Sequence, residues 1–171
     1  MDLAELQEIV DAITENRRLG DLKPHELLKS IHRKRFPADA LPIIERLLHL
    51  DSTYKYAIEM IGKLKGASHE ASDAVEAAWE RSWEFGVPQA CGETFRALVR
   101  IGENDDRLLA MINRAMEVDN YGVHGLCAEA LMKINGGEEL LRNWRETIAG
   151  QCECHLHKKL ATKVAQHVES T

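Results

Sequence analysis

The sequence is poor in aromatic residues and proline: its 171 residues include three Trp, three Tyr, three Phe and four Pro. Sheets favour aromatic and β-branched side chains, whereas Ala, Leu, Glu and Arg favour helices, so this composition predicts helices more than strands. The chain is 44% hydrophobic. That is enough apolar material for the core of one domain, and it excludes an intrinsically disordered segment.

Long hydrophobic runs are also absent. No apolar run approaches the roughly 20 residues that a membrane-spanning helix needs. The first twenty residues, MDLAELQEIVDAITENRRLG, form an acidic amphipathic pattern that differs from a signal peptide. We therefore expect a cytoplasmic protein with no membrane partner. The four cysteines (Cys91, Cys127, Cys152 and Cys154) are too few for the disulfide framework of a small secreted protein.

An excess of positive charge is missing as well, because 22 Lys and Arg face 28 Asp and Glu, for a net charge of -6. This balance excludes a basic nucleic-acid-binding arm and makes nucleic acid a less favoured partner than protein. The negative charge is concentrated in residues 66–150, which carry 15 acidic and 8 basic side chains, whereas residues 1–65 carry 11 of each. The middle segment is therefore where we expect a negatively charged surface.

Apolar residues recur at intervals of three, four and seven along almost the whole chain, which predicts ten amphipathic helices in one all-α domain. We expect an N-terminal capping pair of helices in residues 1–37, four helical hairpins in residues 38–168, and a tail at residues 169–171. The predicted helices are 2–19 and 23–35 in the capping pair, then 38–50 with 54–65, 70–85 with 88–101, 106–118 with 122–134, and 138–149 with 151–168 in the hairpins.

The second helices of the hairpins align with one another. The segments AIEMIGKLKG, TFRALVRIGE and CAEALMKING share one apolar pattern, and a column of Leu64, Ile101, Ile134 and Val164 recurs at spacings of 37, 33 and 30 residues. Such a period is typical of arrays of helical hairpins. A single hairpin cannot bury its apolar stripe alone, so neighbouring hairpins must stack.

The paired helices, this period and Pro88 near a second-helix start resemble HEAT or armadillo-type repeats over about residues 38–168. The resemblance implies a right-handed α-solenoid of about five stacked hairpins, in which the second helices line a concave surface. It also implies that the protein binds a partner more readily than it catalyses a reaction.

Acidic residues gather on one predicted first helix and at the turns between helices. Because stacked turns lie on one edge of a solenoid, their negative potential would steer a basic partner, although the same edge also serves simply to keep a protein soluble. Interfaces favour Trp, Tyr and Arg, and Tyr121 is the best exposed aromatic candidate, whereas Trp79 and Trp144 fit the core. The candidate partner-binding residues are Glu76, Glu80, Glu84, Glu103, Asp105, Asp106, Asp119 and Tyr121.

Equivalent positions of the second helices also carry a row of cations. This basic row, expected on the concave face, consists of Lys63, Arg100, Lys133 and Lys163. Such a row would hold an acidic protein or a phosphate backbone. The alternative is that Lys63 and Lys133 form ordinary i,i+4 helix pairs with Glu59 and Glu129.

A cluster of four soft or imidazole ligands near the C-terminus suggests zinc as an alternative cofactor. Zinc needs about four converging donors. A helix through this segment sends two of the four side chains to one face and two to another, so we favour no metal and no cofactor. The candidate ligands are Cys152, Cys154, His155 and His157.

Other chemical motifs are weak. The dipeptides His25-Glu26 and His69-Glu70 are similar to the metal-binding motif of HEAT-type deoxyhypusine hydroxylases, but later first-helix starts lack it. Cys91 fits a small buried side chain better than a nucleophile, as does Cys127. No GxGxxG, P-loop or GxSxG motif occurs.

These features predict a non-enzymatic protein-binding module. In its sharpest form this is a bacterial immunity (antitoxin-like) or adaptor protein whose acidic edge binds a basic partner such as a toxin domain. The alternatives are a metal-dependent or nucleic-acid-acting enzyme on the same scaffold, or a scaffold inside a larger complex.

Overall fold

The computed structural model describes residues 1–67, 69–83, 90–102, 105–118, 120–149 and 155–170. Within these ranges the regular secondary structure is helical, with no strand beyond two isolated bridges, which confirms the all-α class. The helices, in chain order, are α1 (Leu3–Thr14), α2 (Pro24–Ile31), α3 (Leu41–Glu45), α4 (Tyr54–Ile61), α5 (His69–Ser82), α6 (Cys91–Ile101), α7 (Asp105–Met116), α8 (Tyr121–Leu131), α9 (Glu138–Asn143) and α10 (His155–Ser170).

The first predicted helix is too long: α1 ends at Thr14, not at residue 19. Asn16 adopts a left-handed backbone with φ of 52°, which a helix cannot continue through and which Asn tolerates better than most residues. Gly20, with φ of 58°, then forms the turn in which Leu19 and Leu22 exchange backbone hydrogen bonds.

Helices α2 and α4 each end four residues before their predicted limits, at Ile31 and Ile61. The residues that follow them are turns, so their side chains leave the helix faces. This difference matters because both turns are rich in Arg and Lys.

The first helices of two predicted hairpins are irregular. A 3-10 turn over Ala38–Ala40 precedes α3, and a second 3-10 segment, Arg46–His49, follows it. Helix α9 continues as a π-helix over Trp144–Ala149.

The helices pack mainly on neighbours in the chain. The two helices of each predicted hairpin contact one another: α3 with α4, α5 with α6, α7 with α8, and α9 with α10. The second helices also form a continuous series in which α4 packs on α6, α6 on α8, and α8 on α10. At the other end, α1 packs on α2 and α3.

The hydrophobic core lies between these contacting helices. Trp79 and Trp144 are fully buried, as predicted, and Phe95 joins them. Close helix contact depends on a missing side chain at Gly62, since a Cβ there would lie 2.6 Å from the Ala97 Cα on α6. The contact between α4 and α6 therefore requires glycine at this position.

Helix α1 is tied to the segment after α3 by a charged hydrogen bond from Arg46 to Asp11. Gln7 donates a second bond to the same carboxylate at 2.8 Å. These two donors, led by Arg46, hold the pKa of Asp11 below its usual range.

Candidate functional site

Two residues of the predicted acidic edge form ion pairs within the molecule. Glu76 and Glu80 lie on α5, and both face arginines of α7. Arg107 donates to Glu76 and, at 2.9 Å, to Asp73, while Arg114 lies 2.7 Å from both carboxylate oxygens of Glu80. These carboxylates therefore link the first helices of adjacent hairpins.

The Arg114 side chain is also held by aromatic rings. Its guanidinium carbon lies 4.5 Å from the centre of the Trp83 ring and 5.7 Å from that of Trp79. The two indoles meet edge to face at 5.1 Å. A guanidinium over an indole is attracted by the ring quadrupole, so these tryptophans position the arginine that pairs with Glu80.

Of the six remaining partner-binding candidates, three lie within the described residues and three lie outside them. Asp105 accepts hydrogen bonds from the Asn135 backbone N–H at 3.2 Å and from its side chain at 2.9 Å, which ties the start of α7 to the turn after α8. Asp106 is exposed and Tyr121 begins α8. Outside the described residues lie Glu84, Glu103 and Asp119.

Each member of the basic row lies on one of the second helices or in the turn directly after it. Lys63 follows α4, Arg100 is in the last turn of α6, Lys133 follows α8, and Lys163 is in α10. Arg100, Lys133 and Lys163 are exposed. Lys63 is 24% exposed and lies 3.6 Å from Glu59, the i,i+4 pair expected as the alternative.

Two members of the row meet three further cations in a cleft of about 540 Å³. This basic cleft lies where the turns after α2 and α4 meet the end of α6. Its lining residues are Arg33, Arg35, Gly62, Lys63, Leu64, Lys65 and Arg100.

The backbone brings these cations together. The Lys65 N–H donates to the Phe36 carbonyl at 2.8 Å, next to an isolated parallel bridge between Pro37 and Lys65. The Lys63 ammonium approaches the His32 carbonyl at 3.4 Å. The sequence reasoning missed Arg33, Arg35 and Lys65, although the run His32-Arg33-Lys34-Arg35 was a visible signal.

The cleft keeps an excess of positive charge. Among the described residues, Arg33, Arg35, Lys65 and Arg100 form no ion pair with a carboxylate. Part of their charge offsets the C-terminal ends of α2, α4 and α6, each equivalent to about half a negative charge. After these ends and Glu59 are counted, about two to three of the five positive charges remain uncompensated.

The zinc site considered as the alternative lies largely outside the described residues, which leave out Cys152 and Cys154. His155 and His157 fall in the first turn of α10. In the part of the chain that the structure describes, no group of three or more His, Cys, Asp or Glu is arranged to hold a metal ion. The dipeptides His25-Glu26 and His69-Glu70 stand at the starts of separate helices, α2 and α5.

The two described cysteines are buried, as predicted. Burial raises the pKa of the Cys91 thiol and, more strongly, that of Cys127, whose thiol points to the Ile112 carbonyl at 3.9 Å. His124, the nearest histidine in sequence, has its Nε2 3.0 Å from the Met116 carbonyl oxygen. A buried thiol with a raised pKa is a poor nucleophile.

Across the described ranges, no helix combines the length and the apolar character needed to cross a membrane. No family model matches the chain, and no curated protein or solved structure is detectably similar to it.

Proposed function

We propose that this chain is a non-enzymatic, HEAT-like α-solenoid of about five helical hairpins that binds an acidic partner protein on its second helices. The observation that carries the proposal is the uninterrupted packing of α4, α6, α8 and α10, with one cation of the basic row at each. An array of this kind offers an extended surface, which suits a protein partner better than a small substrate.

The sign of the surface favours an acidic partner. Along the second helices, Glu59 pairs with Lys63, and Glu93 lies 3.7 Å from Arg96. Arg100, Lys133 and Lys163 remain exposed beyond these pairs. Complementary charge guides the approach of a partner and disfavours wrong ones.

The surface between α6 and α8 offers charge more than apolar area. Its open space is only about 10 Å³, lined by Arg96, Glu129 and Lys133 beside Val99 and Leu126. Phe95 and Ala130 in the same lining are buried.

The buried thiols of Cys91 and Cys127, whose pKa values are raised, argue against a cysteine nucleophile.

A second candidate is the acidic edge, through which an immunity-type protein would bind a basic partner such as a toxin domain. The charge of residues 66–150 favours it, since they carry seven more acidic than basic side chains. The pairing of Glu76 and Glu80 with α7 arginines weakens it, because a partner would have to compete with those arginines. The same segment also carries the exposed carboxylates Asp106, Glu117 and Glu139.

The test is purification of the tagged full chain from its native cell, identification of the co-purifying protein, and reconstitution of the complex from the two pure proteins. Reversing two charges of the basic row, Lys133→Glu with Lys163→Glu, is expected to lower the affinity for an acidic partner by about tenfold or more. The matched control reverses Arg18 and Lys29, which are exposed and lie outside the second helices.

The opposite pattern identifies the second candidate. If the partner is basic, and its binding survives the Lys133 and Lys163 changes but is lost on Glu117→Lys with Glu139→Lys, the acidic edge is the binding surface. If no protein binds and the chain turns over a small molecule or a nucleic acid, both binding proposals are wrong.

A further inference from the structure

We propose that the basic cleft is a binding site for a small ligand that carries two or more phosphate groups. The site shares Lys63 and Arg100 with the partner surface proposed above, but it extends beyond the second helices to Arg33, Arg35 and Lys65.

The cleft concentrates like charges that the fold itself holds together. Five cationic side chains line about 540 Å³, although like charges repel and a protein gains nothing by crowding them without a counter-charge. The backbone hydrogen bond from Lys65 to Phe36 and the bridge beside it keep the turns after α2 and α4 in contact. The positive charge is therefore positioned before any ligand arrives.

The chemistry of the lining favours phosphate. Three of the five cations, Arg33, Arg35 and Arg100, are arginines. The guanidinium group presents several N–H donors in one plane and binds phosphate oxygens in pairs, and the two lysines add charge without fixed direction.

The size and charge of the cleft favour a small ligand over an acidic peptide. A volume of about 540 Å³ lies within the range of small-molecule pockets, roughly 300 to 1,000 Å³. An acidic side chain brings one negative charge, whereas a phosphate group brings about 1.5 to 2 near neutral pH. Two adjacent phosphates thus bring about three to four negative charges to the five cations of the cleft, in a volume that holds only a few peptide residues.

The probe for the test is inorganic pyrophosphate, titrated into the full chain by calorimetry at about 0.15 M salt. The cleft variant combines Arg33→Gln, Arg35→Gln and Lys65→Gln. The control variant combines Lys29→Gln, Lys55→Gln and Lys158→Gln, which removes the same charge from exposed positions outside the cleft. Far-ultraviolet circular dichroism checks that both variants fold, and the single change Arg35→Gln replaces the cleft variant if that variant does not.

Pyrophosphate is expected to bind more tightly than inorganic phosphate, and the cleft variant is expected to lose at least about tenfold in affinity while the control keeps it. The chain would also support the site if it bound vesicles that contain phosphatidylinositol bisphosphate and pyrophosphate displaced it from them. That result would identify a lipid headgroup as the source of the phosphate groups.

Three results would overturn the proposal. The first is the absence of pyrophosphate binding to the unaltered chain, and the second is an equal loss in the control variant. The third is binding of a 20-nucleotide oligothymidine that is much tighter than that of pyrophosphate and depends equally on Lys133 and Lys163, because the ligand would then be a nucleic acid spread over the second helices. Lys133 and Lys163 do not line the basic cleft, so the effect of their reversal on partner binding tests the proposed function and not the phosphate site.

Discussion

Arg114 on α7 stacks on Trp83, the residue that directly follows α5, with its guanidinium carbon 4.5 Å from the centre of the indole. The same guanidinium group pairs with Glu80, one turn earlier on α5. One side chain thus joins the first helices of two neighbouring hairpins.

Replacing Arg114 by alanine is expected to lower the free energy of unfolding by about 1 to 2 kcal/mol, the usual combined effect of an exposed cation–π contact and a surface ion pair. Urea denaturation followed by tryptophan fluorescence measures it, and the emission of Trp83 should also change. Arg142→Ala, which removes an exposed charge from α9, is the control and should stay within about 0.5 kcal/mol of the unaltered chain. Equal effects of the two changes would contradict the cross-helix role.

Gly62→Ala is expected to destabilise the protein by about 1 to 3 kcal/mol, because the new methyl group would lie 2.6 Å from the Ala97 Cα. Helix propensity alone predicts the opposite sign. Gly92→Ala is the comparison: its methyl would meet the Leu126 Cδ2 at 2.9 Å, the flexible end of a side chain, so a smaller loss is expected. Thermal denaturation of both variants measures the difference, and a stabilised Gly62→Ala variant would show that α4 and α6 are farther apart.

Asp11 is expected to make the free energy of unfolding depend on pH in the acidic range. Its pKa is lowered in the folded state, chiefly by the Arg46 hydrogen bond, so the folded protein takes up this proton less readily than the unfolded chain. The stabilisation is therefore complete above the ordinary carboxyl pKa and is lost as the pH falls through the lowered value. Urea midpoints measured from about pH 6 down to about pH 2 should fall more steeply for the unaltered chain than for Asp11→Asn.

The control for this pH series is Asp39→Asn, an exposed residue of the turn before α3. Its curve should run parallel to that of the unaltered chain. Parallel curves for all three proteins would show that the Asp11 contact with Arg46 is absent in solution.

Asn120→Ala is expected to cost about 1 kcal/mol of stability, because the Asn120 side chain accepts hydrogen bonds from the Gly122 and Val123 N–H groups at the start of α8. Asn113→Ala, exposed in the middle of α7, should be neutral or slightly stabilising, since alanine is the better helix former. Chemical denaturation compares them, and a neutral result at Asn120 would argue against this cap.

Local sequence features predicted most helices but not all of their ends. The burial of Trp79 and Trp144 was predicted, since it depends on apolar residues a few positions apart. The ends of α1, α2 and α4 were not, because a left-handed Asn16 and the contact of two turns stop helices that an apolar pattern alone would continue.

Some features of the candidate site could likewise be predicted from the sequence, and others could not. Repeat alignment brought Lys63 and Arg100 into one row, but it did not reveal that Arg33, Arg35 and Lys65 join them. It also treated Glu76 and Glu80 as open charges. Their partners Arg107 and Arg114 lie 31 and 34 residues downstream, close to one repeat period, so charge pairing between repeats was a signal that the sequence did contain.

The sequence by itself determined the all-α class, the succession of paired helices and the burial of Trp79 and Trp144, because periodic apolar spacing and helix propensity act over a few neighbouring positions. Only the tertiary structure decided which charges are paired and which are left open. That outcome depends on contacts between segments about 30 residues apart, such as the meeting of Phe36 with Lys65, and no local pattern encodes the geometry of such a contact.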